Sequence, residues 1–209
     1  TITQGQRMLA EGVNPALIEN AAAFNGSPMG PLETLDSISL ETAYHAVAQR
    51  KADLEATGET VEPAPESEVI RVMVEEAARV GQAKGGGFYD YDENGKKVKT
   101  WSGLKALFAP DGYTDIPYQD VKDRLLFPQV LEAIRIMEEG TLTSVADGNI
   151  GSIMGIGFPP HTGGVYQCVN AYGVQAFADR ARELAEKYGE EFAPPQLLLD
   201  MAAQGRTFA

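Results

Sequence analysis

Apolar residues recur three or four positions apart along most of the chain, the period of helices that bury one face. Asn14 followed by Pro15 supplies an N-cap and a first-turn residue, and Leu17, Ile18, Ala21, Ala22 and Phe24 then keep helical spacing until Gly26 stops the run. Ser39 stands where a cap belongs, ahead of a stripe of Leu40, Tyr44, Val47, Ala48 and Leu54 that Gly58 ends. Glu59–Glu68 (ETVEPAPESE) is acidic and carries prolines, which predicts a surface connector. From about Ser67 a helix turns Ile70, Met73, Val74 and Ala77 toward a core. The later part reads the same way. A long helix is predicted over about Gln119–Glu139, a second from Leu142 to Met154 capped at Thr143, and a last pair over Val174–Tyr188 and Pro195–Gln204.

One stretch breaks this period. Phe88–Tyr91 (FYDY) and Lys96–Trp101 (KKVKTW) flank Asp92–Gly95 (DENG), whose Asn-Gly pair suits a tight turn with positive φ, so Gly85–Trp101 is predicted to be a hairpin pinned by Trp101.

The pattern also repeats. Gln129–Gly140 (QVLEAIRIMEEG) answers Thr1–Gly12 (TITQGQRMLAEG), Ile156–Pro160 answers Asn25–Gly30, and Pro195 to Met201 answers Pro65 to Met73. Only the second copy has a lead-in, Asp120–Pro128 (DVKDRLLFP), which predicts a fragment cut inside a helix. The expected fold is all-α, with two tandem homologous domains, 1–118 and 119–209, packed as a pseudo-dimer and the small hairpin 85–101 inside the first.

Charge narrows the function. With 30 acidic against 17 basic residues, net −13, the chain repels nucleic acid and anionic membrane surfaces. No run approaches the ~20 apolar residues of a membrane span. Cys168 is the one cysteine, so no internal disulfide forms and a reducing, cytoplasmic compartment is expected. Gly85–Gly87 follows a helix and enters a hairpin, the reverse of the strand-to-helix order that a dinucleotide needs. His45, His161 and Cys168 have no partners at metal or triad spacing. No catalytic, cofactor-binding or metal-binding residue is therefore assigned. Glu33 is expected to serve a helix N-terminus rather than acid-base chemistry.

Three segments carry a resemblance. Gly26–Asp36 (GSPMGPLETLD) is similar to the G-x-P-M-G-P-x-E-L-x-D signature of the C-terminal domain of 3-hydroxyacyl-CoA dehydrogenases. Val80–Tyr91 (VGQAKGGGFYDY) resembles that family's L-G-R-K-T-G-x-G-F-Y-D-Y segment, with Gln82–Ala83–Lys84 departing from R-K-T. Gly155–Gly164 (GIGFPPHTGG) resembles the G-x-G-F-P-P-x-T-G-G of the second such domain in multifunctional fatty-acid β-oxidation α-subunits. The expected helical architecture also resembles that of 6-phosphogluconate dehydrogenase C-terminal domains, a further related dehydrogenase group.

The resemblance implies part of an enzyme that oxidises (3S)-3-hydroxyacyl-CoA, with NAD and a His-Glu pair held by an N-terminal domain outside this chain, so that the fragment alone is inactive. A thiolase subunit is an implied partner. Pro28, Met29, Gly30 and Pro31 would line the acyl-CoA channel. The family's substrate-contacting Asn, in an Asn-Arg pair, would fall before Thr1, and the second copy has Lys122–Asp123–Arg124 in that place. That copy also lacks counterparts of Glu33 and Asp36 in its sequence, which implies lost substrate contacts. The alternative is a non-catalytic helical interaction or dimerisation module.

Overall fold

The computed structural model describes residues 1–58 and 64–209; positions 59–63 of the expected connector lie outside them. The described chain is mainly helical and divides into two compact units. Residues 2–21 and 29–117 form the first, and Thr1, 22–28 and 118–209 the second.

The first unit contains α1 (Ile2–Ala10), most of α2 (Pro15–Phe24), α3 (Pro31–Ile38), α4 (Leu40–Ala56) and α5 (Pro65–Arg71), which runs on through a π turn over Val72–Glu76. Helix α2 starts as its sequence predicts: the Asn14 Oδ1 accepts from Ala16 N at 3.0 Å. α1 packs on α3 and α5. Its Gly5 is required by that approach, since a Cβ there would lie 2.5 Å from Pro31. Arg7 adds a forked pair to Glu66, at 2.8 and 3.1 Å.

Two expectations fail in α4. Ser39 adopts φ 88°, ψ 121° and its hydroxyl donates to Val80 O at 3.2 Å, so it makes no cap. The apolar stripe is not a core face either: Leu40 is buried, Tyr44 and Leu54 are half-buried, and Val47 and Ala48 are exposed. Periodicity makes one face apolar; it does not supply the neighbour that would cover it.

The hairpin is present as β1 (Tyr89–Tyr91) antiparallel to β2 (Lys97–Thr100). Its turn is not the two-residue type. Asp92 N donates to Lys96 O, Gly95 alone in the loop has positive φ, and the Asp92 carboxylate accepts from Asn94 N and Lys96 N, giving a three-residue loop. Trp101 lies against the Arg79 guanidinium at 4.5 Å, and α6 (Gly103–Phe108) follows.

The second unit contains α7 (Tyr118–Glu138), α8 (Val145–Ile156), α9 (Val165–Tyr172), α10 (Val174–Tyr188) and α11 (Gln196–Ala203). Phe127 and Phe177 stack at 4.0 Å in a core that also holds Leu131, Phe158, Tyr166 and Phe208. Arg180 ties α10 to the start of α7 through Asp120 (2.5 Å) and Asp123 (2.7 Å). The cap of α8 is Ser144, which accepts from Asp147 N, one residue beyond the predicted Thr143.

Element lengths repeat from copy to copy. The C-terminal half of α7 corresponds to α1, and helices of 10, 8 and 17 residues (α2, α3, α4) are followed in the second copy by helices of 12, 8 and 15 (α8, α9, α10). The junctions agree in conformation as well: Ser39 between α3 and α4 has the backbone angles of Gly173 between α9 and α10, φ 93° and ψ 119°. A serine there is strained where glycine is not.

Candidate functional site

The segment singled out by its sequence, Gly26–Asp36, joins α2 to α3. Of the four predicted channel residues, Pro28, grouped with the second unit, is exposed, as is Met29, grouped with the first. Gly30 and Pro31 are buried in the first unit. Their burial has a visible cause. The Glu19 carboxylate reaches back from α2 and accepts from Leu32 N at 2.9 Å, capping α3, and accepts from the Tyr89 hydroxyl at 2.8 Å. It lies so close beneath Gly30 that a Cβ there would sit 2.4 Å from it.

A second carboxylate fixes the other end of α3. Asp36, only 1% exposed, accepts from Phe88 N (2.8 Å), Tyr89 N (2.9 Å) and the Tyr91 hydroxyl (3.0 Å). Gly87 passes so tightly that a Cβ would meet Asp36 Oδ1 at 1.9 Å. Arg79 closes the far side, donating to Gly87 O, Tyr89 O and Asp90. Glu33, in the first turn of α3, pairs with Lys97 of β2, whose ammonium lies 4.8 Å over the Tyr89 ring. Glu33 is thus engaged with the hairpin.

Burial dominates the electrostatics. It raises the Glu19 and Asp36 carboxyls above their ordinary values, outweighing the amide and phenol bonds that favour the charged form. Burial, with the adjacent carboxylate second, likewise pushes Tyr89 and Tyr91 up. Each phenol is a donor to a carboxylate, so the cluster holds protons in place. It positions the 29–31 segment, and its chemistry is that of a support.

The residues set aside earlier stay apart from this cluster. His45 is exposed and edge-on to Tyr44, and His161, also exposed, packs on the backbone of Gly26 within the second unit. Burial lifts the Cys168 thiol to about 11, which leaves it unreactive. No group of three or more His, Cys, Asp or Glu placed to hold a metal occurs among the described residues.

The second copy reproduces the support with amides. Aligned on their caps, Asn14 and Ser144, α2 and α8 place Asn149 opposite Glu19. Asn149 Oδ1 accepts from Tyr166 N at 2.9 Å at the start of α9, the bond Glu19 makes to Leu32 N. Gly164 lies against it as Gly30 lies against Glu19. Asp36 does have a counterpart, against the sequence expectation: Asn170 accepts from Phe208 N at 2.9 Å and donates to Phe208 O at 2.7 Å. Glu19, Asn149 and Asn170 were not distinguishable as singular residues in the sequence. Aligning the two copies cap to cap, instead of by identity, is the signal that finds them.

Residues 1–91 match the family described as 3-hydroxyacyl-CoA dehydrogenase, C-terminal domain. This segment is similar to that family. The match ends at Tyr91, the last residue of β1, so it takes in Glu19, Asp36 and the tyrosines that bond them. Among solved structures, the chain is similar to the dehydrogenase part of multifunctional enzyme 1 from C. elegans, with a TM-score of 0.62 at 18% identity. That likeness covers 95% of this chain and shows a shared fold that extends through the second copy. The chain spans 45% of the length of that structure. No helix among the described residues is long and apolar enough to cross a membrane.

Proposed function

We propose that the chain is the C-terminal part of an NAD-dependent (3S)-3-hydroxyacyl-CoA dehydrogenase of fatty-acid β-oxidation, and that it supplies the wall beside the acyl-CoA. The observation that carries this reading is the turn held at Gly30 and Pro31 within the family match. Gly30 and Pro31 are locked by Glu19 and Gly5, which leaves Pro28 and Met29 as apolar groups presented to the outside. Oxidation at C3 requires a base for the hydroxyl proton and an acceptor for the hydride. The carboxylates described above are engaged with amides and phenols, so the share of this chain is shape and positioning. A dinucleotide does not fit the residues present: the described strands form one antiparallel hairpin, with no strand-to-helix glycine turn to receive a pyrophosphate. NAD would be held elsewhere, as would the catalytic base.

An acetoacetyl thioester of coenzyme A carrying a photoreactive acyl group tests the wall. Irradiated with the purified chain and digested, it is expected to label the peptide containing Pro28 and Met29, and labelling should fall severalfold in Met29→Ala. Labels spread over the surface, or confined to another segment, would overturn the assignment. In an assay with acetoacetyl-CoA and NADH the same preparation should show no turnover; turnover would overturn the division of labour instead.

A further inference from the structure

Most basic side chains of this acid-rich chain are engaged by its own carboxylates. Arg7, Arg71, Arg79, Arg135 and Arg180 each pair with aspartate or glutamate, as does Lys84. The strand β2 is different. Lys96, at its entry, and Lys99, within it, are exposed and make no ion pair among the described residues, in a chain with 30 acidic side chains. Lys97 lies between them and is shared with Glu33. Residues 79–105 carry six basic side chains against three acidic ones, so the hairpin region reverses the sign of a chain of net −13.

The place of this strand in the first unit gives the reversal a meaning. Glu33 lies in the first turn of α3, just past Pro31, so the Lys97 ammonium over the Tyr89 ring stands about one helical turn from Met29–Pro31. Val98, between two lysines, is 62% exposed. The repeat does not send a chain entering α1 across these residues. Its counterpart, Asp120–Pro128, is bonded to Arg180 and Tyr188 of α10, which corresponds to α4. Among the described residues no bond joins it to Asn170 or Phe208, the corner that matches the root of the hairpin.

We propose that Lys96, Lys97 and Lys99 receive the phosphates of a coenzyme A thioester whose acyl end lies on Met29, an inference that rests on the acyl-CoA reading above. Three ammonium groups within four positions span about 10 Å of strand, so the 3′-phosphate and the diphosphate can each meet a separate point charge. Val98 offers the purine an apolar seat between them. The negative charge of the rest of the chain opposes an extended polyanion, a nucleic acid or a lipid surface, and confines the attraction to a compact one.

Equilibrium dialysis of the full chain against radiolabelled coenzyme A tests this. Saturable binding is expected, weakened severalfold by Lys96→Glu or Lys99→Glu and about tenfold by the two together. The 3′-dephospho form should bind severalfold more weakly than coenzyme A. Arg50→Glu, the same charge change at an exposed site on α4, should leave binding unaltered, and circular dichroism verifies the fold of each variant. Absence of saturable binding overturns the proposal, as does equal weakening by Arg50→Glu, which would make the effect one of net charge. So does capture of phosphatidylglycerol vesicles that the double variant abolishes, since the patch would then meet a lipid surface. If the double variant keeps its affinity for coenzyme A while the photoreactive thioester still labels the Met29 peptide, this inference falls and the wall stands. Labelling elsewhere with the lysine dependence intact would remove the wall and keep the phosphate site.

Discussion

Glu19 in the first unit and Asn149 in the second cap the next helix from the same position, one with a charge and one without. Asp36 and Asn170 repeat the contrast five residues into that helix, where each receives the closing phenylalanine of its copy. The first pair of partners extends into a hairpin whose tyrosines also donate to the carboxylates; the second pair is complete with Phe208. Folding therefore asks only for an acceptor at these positions. The acid and its tyrosines are what the first copy adds, and the family match coincides with it.

The two glycines beneath the caps separate the copies most strongly. At Gly164 an added Cβ would lie 2.5 Å from the Asn149 Cα, and φ is +107°, so both backbone strain and a clash with main chain oppose Gly164→Ala. A loss above about 3 kcal/mol is expected. At Gly30 the backbone is ordinary, φ −73°, and the obstacle is the movable end of Glu19. Gly30→Ala should then cost about 1–2 kcal/mol, the worth of the displaced cap. Urea denaturation followed by circular dichroism orders the two; equal losses would mean that Glu19 is held as rigidly as a backbone.

Exchanging acid and amide is the next test. Every partner of Asp36 is a donor, so the amide of Asp36→Asn must turn its own donors toward Phe88 N or Tyr89 N, at a cost of about 2–3 kcal/mol. Asn170 both gives and receives, and it is less buried, so Asn170→Asp loses one bond and sets a charge against Phe208 O, costing about 1 kcal/mol. Trp101, the one tryptophan, lies in the first unit and reports Asp36→Asn by fluorescence. If Asn170→Asp proves the more damaging, the donor arithmetic is wrong.

The parts of this contrast that could be read from sequence are those set by neighbours along the chain. Asn14–Pro15 and Gly26 bound α2, apolar spacing gave α7 and α10, and the alternation around Asp92–Gly95 gave the hairpin. The short helices α6 and α9 offer too few turns for a period to emerge. Nothing along the chain singles out Glu19, because its partners, Leu32 and Tyr89, return from 13 and 70 positions away. The 28–31 segment was visible through its glycines and prolines, while the carboxylates that hold it were not. Asn170 shares with Asp36 only the role of acceptor, which residue identity does not display.

The smallest effect isolates the charge itself. In Glu19→Gln the amide oxygen can still accept from Leu32 N, and the Tyr89 hydroxyl can rotate to accept from the new amide. Both bonds persist and the buried charge is gone. Burial raises the folded-state value of Glu19 above the ordinary 4.5, so between the two the folded chain binds the proton that the unfolded chain has released. Stability from this group therefore rises as pH falls through the folded value, and is flat once both states are protonated. Neutral wild type bears the cost of the charge. Midpoints of urea denaturation for wild type and Glu19→Gln, taken in pairs from pH about 7 to about 4.5, should favour the variant at neutral pH and converge as wild type gains on acidification. A constant difference would mean that Glu19 is solvated well enough to act as Asn149 does, and the two caps would then be electrostatically equivalent.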